Sequence, residues 1–134
     1  MRILLVEDNS ADVELIRLAL REYEVEGDLE VLADGEQAMI FMDQVDSGDR
    51  LRPDLVVLDL NLPKRPGVEV LRRIREKGIG ADMTVAVLSS SNAAKDRQQI
   101  ASLGATRYIQ KPLNFEEFLK IGSVLKDLLA TSAG

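Results

Sequence analysis

An apolar run that ends in a carboxylate is the first feature of this sequence that points to chemistry. The stretch VVLDLNLPKRPG, residues 56–67, places Asp59 at the end of a segment typical of a buried strand, just before a loop marked by Pro and Gly. A carboxylate is costly to bury without a partner. We therefore expect Asp59 to have a functional role that offsets this cost.

Other reactive side chains follow other apolar runs. Glu7 and Asp8 follow the first run, Ser89 ends the fourth, and Lys111 follows the fifth. Three adjacent carboxylates need a compensating cation, and a hard divalent ion such as Mg²⁺ prefers oxygen ligands and phosphate. Lys111 and Ser89 would hold phosphoryl oxygens, while Asp59 would act as a nucleophile and form an acyl phosphate.

Short apolar runs alternate with helical patterns along the chain, and these elements must bring the reactive residues together. Near-continuous apolar runs are typical of parallel strands that are buried on both faces. The predicted strands are Arg2–Val6, Leu29–Ala33, Asp54–Asp59, Met83–Ser89 and Arg107–Gln110.

Helical spacing and capping residues predict five helices. The first contains Val13, Ile16, Leu20 and Tyr23 at helical spacing. The others run from Asp34 and Gly35 to about Val45, from Pro66 to Gly78, from an Asn92 cap to just before Gly104, and from an Asn114–Glu117 capping box to about Ala130. The polar segment Gln44–Pro53 is expected to be an exposed loop.

This alternation predicts an α/β fold, a (βα)5 unit with a doubly wound, flavodoxin-like parallel sheet of five strands in the order 2-1-3-4-5. Residues 1–134 are expected to form a single domain with no output domain, because only TSAG follows the last helix. In such a sheet, ligands bind at the carboxyl ends of the strands. Asp59, Glu7, Asp8, Ser89 and Lys111 should therefore meet at one rim.

Composition excludes several classes of function. The chain has no Cys and no His, so neither a thiolate metal site nor a histidine general base is available. The net charge of −6 argues against a nucleic-acid partner. No apolar stretch approaches the ~20 residues needed to span a membrane, and no signal peptide follows Met1. We expect a soluble, cytoplasmic protein.

Taken in order, these motifs resemble a bacterial response-regulator receiver domain over nearly the whole chain. The resemblance rests on VEDN after the first strand, on LDLNLP…PG around Asp59, on the Ser after the fourth strand, and on YIQKP. It implies that Asp59 accepts a phosphoryl group from a sensor histidine kinase.

The resemblance also implies roles for other residues. Glu7, Asp8 and Asp59 would hold Mg²⁺, or Mn²⁺, together with the backbone carbonyl of Asn61. Ser89 and Tyr108 would form the switch pair. Lys111 would be the lysine typical of the family, and the Lys111–Pro112 bond would be cis.

The sequence departs from the family pattern at two positions. Glu7–Asp8 stands where Asp–Asp is common, and Ser89 stands where Thr is common. The loop before the third strand and the SSS segment after the fourth resemble stand-alone regulators paired with bacterial phytochromes. A bacteriophytochrome is therefore one candidate for the kinase, and a downstream protein would receive the signal.

The last predicted helix is apolar around more than half of its circumference, whereas a core-facing stripe needs little over ~100°. We infer either a homodimer or a partner docked there, with a generously packed core helix as the alternative. The predicted surface comprises helix 4, strand 5 and helix 5, and its residues are Tyr108, Phe115, Phe118, Ile121 and Leu125.

A basic run raises a similar question. Its members are Lys64, Arg65, Arg72, Arg73, Arg75 and Lys77. We favour a solvated helix face over a patch for an acidic partner.

Three other functions fit the sequence less well. A Mg²⁺-dependent phosphohydrolase would need a second Asp where Asn61 stands, and a cap over its substrate pocket. A flavodoxin-like cofactor carrier would need a phosphate-binding loop, whereas EDNSAD after the first strand would repel phosphate. A scaffold that works without phosphorylation would have no need of the intact acidic site.

Overall fold

The computed structural model describes residues 1–76 and 82–133, with side chains up to residue 131. The predicted end of the third helix at Gly78, and Lys77 of the basic run, lie outside the described residues.

Five parallel strands form one sheet. They are β1 (Arg2–Val6), β2 (Asp28–Leu32), β3 (Leu55–Asp59), β4 (Thr84–Ser89) and β5 (Arg107–Gln110). Their order across the sheet is β2-β1-β3-β4-β5, and every pairing is parallel. The predicted flavodoxin-like topology is confirmed, with strand ends shifted by no more than one residue.

Helices cover both faces of this sheet. They are α1 (Ser10–Glu22), α2 (Gly35–Ser47), α3 (Gly67–Glu76), α4 (Ala94–Ser102), α5 (Phe115–Leu119) and α6 (Ile121–Ala133). Within the described ranges, no helix has the length and apolarity needed to cross a membrane.

Successive residues of a strand point to opposite faces of the sheet and pack into two separate hydrophobic cores. Leu4 and Val6 of β1 pack with α2, α3 and α4, whereas Ile3 and Leu5 pack with α1, α5 and α6. Because side chains alternate across a strand, a sheet covered on both faces needs apolar residues at nearly every position. Each such Leu, Ile or Val stabilises the fold by roughly 1.5–3 kcal/mol relative to an exposed one.

The carboxyl-terminal segment departs from the single predicted helix. The α-helical hydrogen-bond pattern is interrupted at Lys120, whose amide donates three residues back, to the carbonyl of Glu117 at 3.2 Å. Gly122, just beyond this interruption, lies so close to α1 that a Cβ there would be 2.2 Å from the Ala19 carbonyl oxygen. The missing side chain at Gly122 thus allows α6 to pack directly against α1.

The interface predicted on this segment is wrong for three of its five residues. Phe118, Ile121 and Leu125 are buried in the core between α1 and the sheet. The extra apolar residues are used by the packing itself, since both α5 and α6 contact α1. Tyr108 is half-buried, and Phe115 is 54 % exposed.

Several local predictions also need correction. Helix α2 continues to Ser47, where Gly48 with φ +85° ends it, so the exposed loop is shorter than predicted. Asn92 does not cap α4: Ala93 occupies that position, and the Asn92 side chain instead accepts from Arg97. Pro66 lies just before α3 rather than inside it, because its carbonyl accepts the first helical hydrogen bonds.

The Lys111–Pro112 bond is not cis, since no peptide bond in the described ranges is cis. The trans form is the lower-energy isomer for X–Pro bonds by about 0.5–1 kcal/mol. The cis isomer implied by the family resemblance is therefore wrong for this structure.

Two members of the basic run, Arg73 of α3 and Arg65 just before it, bind acids of the same chain. Arg73 donates to Asp43 and Asp46 of α2 at 2.8 and 2.7 Å, and Arg65 contacts Glu36 of α2 at 3.3 Å. This side of α3 is therefore partly neutralised by α2 rather than free for an acidic partner.

Candidate functional site

The sheet places the predicted reactive residues at one rim. Glu7 directly follows β1, and its amide donates to the carbonyl of Leu32 at the end of β2. Lys111 follows β5, and its amide donates to the carbonyl of Ser89 at 2.7 Å. Strand pairing thus continues one residue past the strand ends. The backbone at these positions is held by the sheet and not by a free loop.

The ammonium group of Lys111 lies among three carboxylates. Its Nζ is 2.9 Å from Asp59 Oδ2, 2.9 Å from Asp12 Oδ2 and 3.1 Å from Glu7 Oε2. The Lys111 side chain is only 14 % exposed. Three charge-assisted contacts in a site shielded from solvent make this a firmly held lysine.

A second group of carboxylates overlaps the first. Glu7, Asp8 and Asp59 each offer one oxygen, and these oxygens lie within 4.8 Å of one another. Glu7 and Asp59 are buried, whereas Asp8 is exposed to solvent. Clustered carboxylate oxygens with one open side suit a hard divalent cation that keeps several water ligands. The donor set therefore fits Mg²⁺ or Mn²⁺.

The loop that follows Asp59 also fixes the position of its carboxylate. The amide of Asn61 donates to Asp59 Oδ1 at 2.9 Å, so each oxygen of this carboxylate has a partner. Gly67 packs against the same backbone, and a Cβ there would be 2.5 Å from the Asp59 carbonyl oxygen. The PG motif after Asp59 thus allows α3 to begin directly against the backbone that carries the reactive carboxylate.

Burial and charge shift the pKa values of the two buried acids, Glu7 and Asp59, in opposite directions. Burial, and then the hydrogen bond with Asp59, raise the pKa of Glu7 from 4.5 to about 8. Burial acts in the same direction on Asp59, but hydrogen bonds from Glu7, Lys111 and the Asn61 amide outweigh it and lower its pKa. The opposite directions of these pKa shifts favour Asp59 as the ionised member of the pair when no metal is bound, as a nucleophile must be.

Burial alone would lower the pKa of Lys111, but the surrounding carboxylates, Asp59 first among them, raise it above its ordinary value. Lys111 is therefore positively charged throughout the physiological pH range. It supplies a permanent cation beside Asp59.

A change of Glu7 to Gln should alter how stability depends on pH. The pKa of Glu7 is raised in the folded state, so its contribution is complete below about 4.5 and is lost as pH rises through about 8. In EDTA, the wild type should lose roughly 3 kcal/mol more than Glu7→Gln between pH 5.5 and pH 9. Urea unfolding at both pH values measures this difference.

Two features make this measurement clean. The chain has no His and no Cys, so few other groups titrate between these pH values. Glu26→Gln is a matched control, since Glu26 is exposed. Equal pH slopes for the wild type and Glu7→Gln would contradict the raised pKa of Glu7.

Ser89 and Tyr108 approach the same loop from two sides. Ser89 is buried at the end of β4, and its hydroxyl accepts from the amide of Ser91 at 3.1 Å. The Tyr108 hydroxyl donates to the carbonyl of Ser91 at 2.8 Å. The Arg97 guanidinium lies 4.6 Å from the centre of the Tyr108 ring. The predicted switch pair is thus joined through Ser91.

Sequence reasoning missed Asp12 at the rim and Arg97 beside Tyr108. A signal for Asp12 was available: Asn9 caps α1 by accepting from the amides of Ala11 and Asp12, which sets Asp12 in the first helical turn after Glu7. No local pattern identifies Arg97, because its contact depends on how α4 lies against β5.

Comparison with known proteins agrees with this geometry. Residues 3–122 match the family model described as "Response regulator receiver domain". Response regulator Rcp1 of Synechocystis is 36% identical over 120 residues, which cover 89% of this chain and 82% of Rcp1. A protein described as the probable methanogenesis regulatory protein FilR2, of Methanothrix harundinacea, is 36% identical over 125 residues, which cover 93% of this chain and 81% of FilR2.

Two solved structures are similar over nearly the whole chain. The phosphorylated cyanobacterial phytochrome response regulator RcpA has a TM-score of 0.88 at 35% identity, covering 99% of this chain and 96% of RcpA. The Mn²⁺-bound form of response regulator Rcp1 has a TM-score of 0.84 at 34% identity, covering 94% of this chain and 91% of Rcp1.

Proposed function

Because this chain belongs to the response regulator receiver domain family, we propose that Asp59 is its phosphoryl acceptor. The contact between Asp59 Oδ2 and Lys111 Nζ at 2.9 Å, beside the cluster of Glu7, Asp8 and Asp59, carries this proposal. A buried carboxylate that remains ionised and faces a fixed cation is ready to attack an electrophilic phosphorus.

The step is a transfer of the phosphoryl group between two nucleophiles. A carboxylate oxygen of Asp59 forms a bond to phosphorus as the bond from phosphorus to the donor breaks. The electron pair of that bond leaves with the donor, which is the imidazole of a kinase histidine or a small acyl phosphate. Lys111 and the Ser89 hydroxyl stabilise the transferred oxygens by charge and by hydrogen bonding.

Mg²⁺ or Mn²⁺, when bound, would neutralise charge on the acids and the phosphoryl oxygens. Glu7, Asp8 and Asp59 would hold it, together with the backbone carbonyl of Asn61. The solved Mn²⁺-bound Rcp1 supports a divalent ion in a protein similar to this one.

The signal would leave this domain through contacts with other proteins. A phosphoryl group adds charge and three acceptor oxygens beside Ser89. Ser89 is linked to Tyr108 through Ser91, so a change at Asp59 has a short route to the surface of α4 and β5. A sensor histidine kinase, and a bacteriophytochrome in particular, would be the donor, with a downstream protein as the receiver of the signal.

A homodimer through α4, β5 and α5 stays a proposal that rests on fewer residues than the sequence suggested. Phe115 is accessible, and its neighbour Leu113 is fully exposed.

A turnover phosphohydrolase is disfavoured because Asn61, and not a second Asp, stands two residues after Asp59. A location in the cytoplasm and a single domain remain expectations from the sequence.

Acetyl phosphate with Mg²⁺ tests the proposed function directly. We expect the intact mass of the protein to increase by one phosphoryl group, and the gain to disappear when EDTA is added first. An unchanged mass under conditions where Mg²⁺ binding is confirmed by calorimetry would contradict self-catalysed acceptance.

A further inference from the structure

We propose that Asp12 is a positioning residue that holds the Lys111 ammonium at the phosphorylation site while the metal and phosphoryl group occupy the other carboxylates. This inference rests on the proposed function of Asp59. It concerns a residue outside the predicted metal cluster, which consists of Glu7, Asp8 and Asp59.

The three contacts of Lys111 are not equivalent. Glu7 and Asp59 contact Lys111, and both also belong to the cluster that suits a divalent cation. A cation bound there would compete with Lys111 for their oxygens, and phosphorylation would convert one oxygen of Asp59 into the bridging oxygen of an acyl phosphate. Asp12 takes no part in either change. Its contact with Lys111 at 2.9 Å is the one that persists through the reaction.

Such an anchor matters because a lysine side chain is long and flexible. Immobilising a free lysine costs more side-chain entropy than immobilising most other residues. If a metal took over the oxygens of Glu7 and Asp59, Lys111 would become mobile. The entropy cost of immobilising it again would then add to the barrier of the transfer step. A remaining contact keeps the ammonium near the position of the incoming phosphoryl oxygens, which is the preorganisation that phosphoryl transfer requires.

Helix α1 presents Asp12 rigidly. Asn9 caps the helix and binds the Asp12 amide at 3.1 Å, so Asp12 lies in the first turn. An acidic side chain is stabilised there by the helix dipole. The Asp12 side chain is 22% exposed and that of Lys111 14% exposed. This partial burial distinguishes the pair from solvent-exposed ion pairs, which contribute little.

The test compares Asp12→Asn with Glu14→Gln, a matched loss of one charge on the same helix. Glu14 has a side chain that is 71% exposed and contacts Arg17, away from the site. With acetyl phosphate and Mg²⁺, we expect Asp12→Asn to be phosphorylated roughly ten-fold more slowly, the scale of one charge-assisted hydrogen bond. Glu14→Gln should stay within about two-fold, since exposed charges are screened.

A double-mutant cycle separates positioning from a general effect of charge. In a Lys111→Met background, Asp12→Asn should cause no further slowing, because the contact is already absent. Slowing of the same factor in both backgrounds would overturn the inference. So would equal slowing by Asp12→Asn and Glu14→Gln.

The same double-mutant cycle can be measured on the free energy of unfolding in urea, which does not depend on phosphoryl transfer. We expect Asp12 and Lys111 to be coupled both in EDTA and in saturating Mg²⁺, and absence of coupling in Mg²⁺ would overturn the inference. If the wild type gains no phosphoryl group, the proposed function fails, while this unfolding cycle still decides whether Asp12 holds Lys111.

Discussion

Asp59→Asn should abolish phosphoryl acceptance and leave the protein folded. An amide oxygen is far less nucleophilic than a carboxylate oxygen, so the new bond to phosphorus should not form. The substituted amide keeps the shape of the Asp59 side chain and can still accept from the Asn61 backbone N–H. Lys111 loses one anionic partner but retains its contacts with Glu7 and Asp12. We therefore expect the free energy of unfolding to change by only about 1 kcal/mol.

The measurement is the intact mass after treatment with acetyl phosphate and Mg²⁺. The wild type should gain one phosphoryl group, and Asp59→Asn should gain none. Asp127→Asn is a matched control that removes one exposed carboxylate of α6 and should behave like the wild type. If Asp59→Asn is modified as fully as the wild type, another residue is the acceptor and the proposed function is wrong in its central assignment.

Phe118→Asp should cost most of the stability of the protein. Phe118 is 3% exposed and packs in the core shared by α1, α6 and the sheet. Removal of a buried Phe side chain costs about 3–5 kcal/mol, and a carboxylate placed there adds an unpaired charge. Since small domains are stable by only about 5–15 kcal/mol, this variant should be largely unfolded or close to it.

Phe115→Asp is a control only three residues away. Phe115 is 54% exposed and is the first residue of α5, where an acidic side chain is favoured by the helix dipole. Its stability should stay within about 0.5 kcal/mol of the wild type. Far-UV circular dichroism in urea compares the two variants. A folded Phe118→Asp that only loses self-association would restore the interface predicted from the sequence.

Much of the fold was predictable because the decisive signals are local. The five strands could be recognised as short apolar runs, since a sheet covered on both faces permits few polar positions. The rim followed from this assignment, because parallel strands end at the same edge. Glu7, Asp59, Ser89 and Lys111 lie there as predicted.

The largest error arose where segments distant in the sequence pack against each other. The apolar excess after Asn114 looked like an interface because the sequence does not show how deeply a helix is embedded. The structure places α5 and α6 against α1, where Gly122 lies close to Ala19 and Phe118 is buried.

The sequence by itself determined the strands, the rim and the types of chemistry available there, because hydrophobic periodicity and side-chain identity are local properties. Only the tertiary structure decided that Lys111 meets Asp12, 99 residues away in the chain, and that burial beside Asp59 raises the pKa of Glu7. Charge interactions depend steeply on distance and burial. Both quantities exist only once the elements have packed together.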